Sequence, residues 1–99
     1  MNQWQNADVE TLYDAILCLE TREDCARFFE DACTVREILD LSQRLKVARR
    51  LKDGASYNTI RSETGAGAAT ISRVSRCLEY GAGGYRDVLE RLEKKNENK

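Results

Sequence analysis

The 99-residue sequence predicts an all-α fold of six helices. Three observations predict it. Proline is absent, so no residue forces a helix interior to break. Glycines occur only at 54, 65, 67, 81, 83 and 84, where they separate segments rather than interrupt them. Between the glycines, apolar residues recur at helical spacing throughout.

Each helix has its own signal. Residues 8–20 carry Val9, Leu12, Tyr13, Ile16 and Leu17 as one apolar stripe. Residues 22–32 turn Cys25, Phe28, Phe29 and Ala32 inward. The third helix starts at Thr34, because Thr34-Val35-Arg36-Glu37 reads as a capping box. Its stripe is Ile38, Leu41, Leu45 and Ala48, widened by Leu39 and Val47, and Gly54 stops it after Lys52. Ser56 is a good N-cap for a fourth helix that runs to Thr64 with Ile60 inward. Gly65 closes it. The fifth helix follows Gly65-Ala66-Gly67 and sets Ile71, Val74 and Leu78 on one face. After the flexible corner Gly81-Ala82-Gly83-Gly84, a sixth helix over 84–95 buries Tyr85, Val88, Leu89 and Leu92. Lys94 to Lys99 reads as a polar, frayed tail.

A chain of this length makes one domain, residues 1–99, with a core of modest size that dimerisation would support. The wide apolar faces of the first two helices point to a homodimer built from residues 8–52; the rival explanation is packing on the third helix within one chain. No apolar run approaches the ~18 residues of a membrane span, so no membrane partner is expected. Met1-Asn2-Gln3-Trp4-Gln5 has neither positive charge nor a following apolar stretch, which predicts no secretory signal and a cytoplasmic protein. Cys18, Cys25, Cys33 and Cys77 lack metal-ligand spacing and histidine is absent, so neither zinc nor any other cofactor is expected. The thiols read as small buried side chains of a reducing compartment.

The net charge of −1 hides a strong asymmetry. Residues 1–42 hold ten acids against three arginines, a net −7. Residues 43–76 hold eight bases against Asp53 and Glu63, a net +6. Residues 77–99 balance. Affinity for duplex DNA comes largely from neutralised phosphates, so the local sign matters more than the total.

The basic block coincides with a helix-turn-helix layout over residues 56–79. In that motif the first helix crosses the DNA backbone and the second sets its N-terminal residues on base edges in the major groove. Ala68, Ala69, Thr70, Ser72, Arg73 and Arg76 form the outward face of the fifth helix, with methyls, hydroxyls and guanidinium groups but no carboxylate. The alanines can meet thymine methyls, and Thr70 and Ser72 can exchange hydrogen bonds with bases or phosphate. The unpaired N–H groups at the helix start form a phosphate site, and Gly65 and Gly67 let backbone approach closely.

The string Gly65-Ala66-Gly67-x-Ala69-Thr70-Ile71-x-Arg73 resembles the recognition region of the Trp repressor family. The likeness covers roughly residues 9–92, and the corner Tyr80-Gly81-x-Gly83-Gly84-Tyr85 is similar to its YerC/YecD-type branch. The resemblance implies an intertwined homodimer that binds operator DNA. It assigns DNA contact to Arg61, Gly65, Gly67, Ala68, Ala69, Thr70, Ser72 and Arg73. It also assigns an effector pocket to Thr34, Arg44, Arg73, Val74 and Cys77, in which two arginines would flank an indole ring.

That pocket departs from the family pattern. Val74 stands where the repressor has glycine, Cys77 where it has serine, and Asp31 and Cys33 where it has leucines. A branched side chain takes the space of the ring, and an unpaired buried carboxylate costs several kcal/mol, which is about the whole affinity of a modest ligand. The sequence therefore predicts a DNA-binding repressor that does not respond to tryptophan, with any effector left open. An enzyme is not expected, since there is no histidine and the 81–84 glycines follow a helix rather than a strand. The alternatives are a helical adaptor whose acidic N-terminal half meets a protein partner, and a thiol sensor whose cysteines pair across a dimer.

Overall fold

Side-chain caps open the first four helices. The structure is a computed structural model that describes residues 3–97, and within them six α-helices follow one another. They are α1 (Ala7–Leu17), α2 (Arg22–Ala32), α3 (Val35–Lys52), α4 (Tyr57–Thr64), α5 (Ala68–Tyr80) and α6 (Gly84–Glu97). The chain divides into two compact units, Met1–Ile38 and Leu39–Lys99.

In the first unit the Asn6 side chain caps α1 by accepting from the Val9 N–H at 3.0 Å. A capping box opens α2: the Asp24 N–H donates to Thr21 Oγ1 at 3.0 Å, and the Asp24 carboxylate accepts from the Thr21 and Glu20 N–H groups. This box ends the first helix at Leu17 rather than at residue 20, because the backbone of Glu20 and Thr21 is turned toward Asp24. The expected Thr34–Glu37 box is present, with bonds of 2.9 and 3.1 Å in the two directions. The Phe28 and Phe29 rings meet edge to face, 5.4 Å between centroids. No residue of α1 or α2 is fully buried. Val9, Phe28 and Phe29 are half-buried, whereas Leu12, Tyr13, Ile16, Leu17, Cys25 and Ala32, expected inward, are exposed.

The second unit owns the core. It consists of Val47 and Ala48 from α3, Ile60 from α4, Ala66 from the turn, Ile71 and Val74 from α5, and Leu89 from α6. Leu45, Leu51, Ala55, Leu78 and Tyr85 pack against these. Each fully buried aliphatic side chain contributes roughly 1.5–3 kcal/mol relative to exposure. A Schellman motif ends α3: the Gly54 N–H donates to Leu51 O, and the Ala55 N–H reaches back to Arg50 O at 3.1 Å. The Ser56 hydroxyl caps α4 at the Thr59 N–H. Arg86 Nε donates to Leu78 O at 2.6 Å, so a side chain of α6 satisfies a carbonyl near the end of α5. The last helix runs to Glu97, past the expected 95, with Lys94 and Lys95 in its last turn where cations suit the helix dipole.

The apolar face of this unit is wider than its own elements cover. Leu39, Leu41, Val88 and Leu92 were expected inward, and each remains exposed. The thiols differ from expectation too: Cys18, Cys25 and Cys77 are exposed and only Cys33 is half-buried, so none is a core residue. No helix among the described residues is long and apolar enough to cross a membrane.

Ile60 is fully buried, so Ile60→Ala is expected to destabilise the fold by about 2–5 kcal/mol. Urea unfolding of the full chain measures this, and Ser62→Ala, an exposed site on the same helix, should leave the midpoint within error.

Candidate nucleic-acid interface

The turn between α4 and α5 places the sequence-derived site. Gly65 ends α4 in the left-handed region at φ 73°, and its N–H donates to Arg61 O at 2.9 Å. A side chain there would be strained by the backbone alone. Gly67 is different. Its φ is an ordinary −75°, and a Cβ built on it would meet no heavy atom within 4 Å. Nothing inside the chain requires glycine at 67; what the missing side chain changes is the approach from outside.

Helix α5 begins at Ala68 with no side-chain cap on its first N–H groups. Its inward face is Ile71 and Val74, both buried, with Leu78 half-buried behind them. Its outward face presents Ala68, Ala69, Ser72, Arg73 and Arg76, all exposed, and Thr70 half-exposed. Gly65 and Gly67 are exposed beside it, and so is Arg61 on α4. The expected contact residues therefore lie on one tip of the second unit, and acidic side chains are absent from α5 until Glu79.

The two acids of the basic block are both held by one residue. Arg50 Nε donates to Glu63 Oε2 at 2.7 Å and a terminal nitrogen reaches Glu63 Oε1 at 3.3 Å, while the other terminal nitrogen bonds Asp53 at 3.1 Å. Hydrogen bonds from Arg50, then the positive charge of Arg50 and Lys46, hold the Glu63 carboxyl below its ordinary range against the opposing effect of desolvation. The same bonds push Arg50 up. Lys52 pairs with Glu93 of α6 at 3.6 Å. Among the described residues Arg61, Arg73 and Arg76 make no ion pair, so their charge is not cancelled locally. The spacing of Arg50 and Asp53 was readable as an i, i+3 pair. The link to Glu63, thirteen residues away, was not.

The effector residues are dispersed in role. Thr34 is the N-cap of α3 in the first unit. In the second unit Arg44 is half-buried, Arg73 is exposed, and Val74 is 1% exposed within the core. Cys77 borders a shallow apolar depression of about 450 Å³ with Leu45, Tyr85, Val88 and residues 81–84. Val74 is one of the buried residues of the second unit's core. No group of three or more His, Cys, Asp or Glu among the described residues is placed to hold a metal ion.

Comparison with known proteins gives a consistent family. Residues 7–93 match the family described as Trp repressor protein. The chain is 47% identical over 92 residues to the uncharacterised protein YerC of Bacillus subtilis (strain 168), covering 93% of this chain and 88% of that one. A crystal structure of a candidate Trp repressor from Staphylococcus aureus superposes with a TM-score of 0.89 at 50% identity, over 92% of this chain and 91% of the other. A TrpR-like protein from Eubacterium eligens ATCC 27750 superposes with a TM-score of 0.90 at 48% identity, over 94% and 96%.

Because Glu63 is held below its ordinary 4.5, the Arg50–Glu63 pair contributes stability that is complete above that value and is lost as pH falls through the depressed one. Glu63→Gln is therefore expected to lower the urea midpoint at pH 7, with the difference from wild type closing under acid. A difference constant from pH 7 to acid would show that the pair contributes nothing through its charge.

Proposed function

The chain belongs to the Trp repressor family, and on that premise we propose that it is a sequence-specific DNA-binding regulator of the repressor type. In this reading α5 enters the major groove and α4 crosses the backbone. One observation carries the proposal: the outward face of α5, with Ala68, Ala69, Ser72 and Arg73 exposed, is free of carboxylates, while the two acids of the basic block are bound to Arg50. Roles follow from chemistry. Arg61 and Arg73 neutralise phosphate, Ala68 and Ala69 meet thymine methyls, and Thr70 and Ser72 make directional hydrogen bonds. Gly65 and Gly67 leave room for the DNA backbone, whose phosphate the unpaired N–H groups of α5 receive.

The working form is a homodimer, so that two recognition helices meet two half-sites. Supporting this, Leu12, Ile16 and Leu17 are exposed in the first unit, and Leu39 and Leu41 in the second. Apolar surface on this scale in a small chain marks an association surface. The dimerisation segment is 8–52, the whole chain serves as one functional domain, and the cytoplasm is where such a regulator would meet DNA. Tryptophan is not the effector: Val74 occupies the position where an indole would need close approach to backbone, and it is already part of the core.

Affinity for duplex DNA should fall linearly in log–log form as salt rises, with a slope that reports several phosphates. Arg73→Ala should weaken binding and reduce that slope by about 1 per subunit, without altering the melting temperature. Binding that ignores salt would overturn the reading. Calorimetry with millimolar L-tryptophan should show no saturable heat. A one-per-subunit isotherm would restore tryptophan as effector.

A further inference from the structure

Two side chains and three backbone groups form a hydrogen-bonded latch on the turn before α5. Gln43, on α3, donates from Nε2 to the Thr64 carbonyl at 3.1 Å across twenty-one residues of sequence. A carbonyl only accepts, so the amide nitrogen of Gln43 has to face it. The Thr64 hydroxyl donates to Ile60 O at 2.7 Å and accepts from the Ala66 N–H at 3.1 Å, which uses its single proton and one lone pair. Both side chains are half-buried, and Ala66, held between them and the core, is 4% exposed. Thr64 is the last residue of α4, and its carbonyl is one of those that a helix end leaves without an internal partner. Without Gln43 this carbonyl would have no partner from α3. Two residues beyond Ala66, α5 begins under Gly67, which supplies no side-chain cap of its own. The direction in which α5 leaves the core is therefore held by the turn, and the turn is held by Gln43 and Thr64.

We propose that Gln43 and Thr64 are positioning residues that set how sharply this chain discriminates between DNA sequences. The proposal rests on α5 being the recognition helix. Neither residue is among the expected DNA contacts, and neither carries charge. Base-edge hydrogen bonds require alignment within a few tenths of an ångström and some tens of degrees, whereas phosphate attraction tolerates misalignment. A looser turn therefore weakens base reading and leaves charge-driven binding intact. A residue that served only to hold the fold would instead lower both kinds of binding together.

The test uses the full chain. Wild-type protein selects a duplex from a randomised pool, and affinities are then measured for that duplex and for a scrambled one of equal length and composition. Gln43→Met keeps length and loses the donor; Thr64→Val keeps shape and loses the hydroxyl; Thr64→Ser keeps the hydroxyl. The first two should reduce the selected-to-scrambled affinity ratio about three- to tenfold, the equivalent of one net hydrogen bond. Affinity and salt slope on the scrambled duplex should stay at wild-type values, and Thr64→Ser should restore the ratio. Melting temperatures are recorded for each variant, and Gln43→Met alone decides if Thr64→Val does not fold. An unchanged ratio, an equal loss on both duplexes, or a Thr64→Ser variant that behaves as Thr64→Val overturns the latch while leaving the proposed function standing. A wild-type protein that enriches no sequence overturns the proposed function, and the latch proposal with it.

Discussion

Burial of Ile60, Ala66, Ile71 and Val74 in one core with Val47 and Ala48 is the constraint on which the outward chemistry depends. These four residues come from α4, the turn and α5, so the helix pair cannot rotate without exposing one of them. Once Ile71 and Val74 face the core, helical geometry sends Ala69, Ser72, Arg73 and Arg76 to solvent. The candidate site is thus the complement of the core. Its small residues at 65–69 have no packing duty except Ala66, and the single buried alanine there is what seats the turn.

Charge is apportioned by the same architecture. The basic block contains two acids, and an arginine fork gathers both: Arg50 holds Glu63 bidentately and Asp53 through its remaining nitrogen. Such exposed pairs add little to stability individually. Their consequence is electrostatic, because among the described residues the guanidinium groups of Arg61, Arg73 and Arg76 have no acid paired to them. Val74 shows the same economy on the inner face. A branched side chain in the core seats α5 from the inside.

Much of this was legible before any coordinates. The glycine joints, the Thr34–Glu37 box and the Ser56 cap all act within a few residues, and all appear where local chemistry places them. The period of Ile60, Ile71 and Val74 identified the buried positions, because one element can hide only one face. Periodicity failed where the face is apolar but uncovered. Leu12, Ile16 and Leu17 obey helical spacing, yet they are exposed, since spacing reports amphipathicity and says nothing about what lies opposite. The cysteines failed for the same reason. The Thr21–Asp24 box was readable as the start of α2, whereas the further bond from the Glu20 N–H to Asp24, which goes with the earlier end of α1, was not.

By itself the sequence determined what depends on neighbours along the chain: six helices, the caps at Thr34 and Ser56, the glycine at 65 that closes the fourth helix, and an outward face of the fifth helix without acids before Glu79. Tertiary structure decided what depends on residues far apart. Gln43 meets Thr64 and Arg50 meets Glu63 only because α3 and α4 pack in one core, and no spacing rule connects positions 43 and 64. The physical reason is range. Caps and periodicity are set by backbone geometry within one or two turns, whereas side-chain partners across helices are set by the packing that brings those helices together.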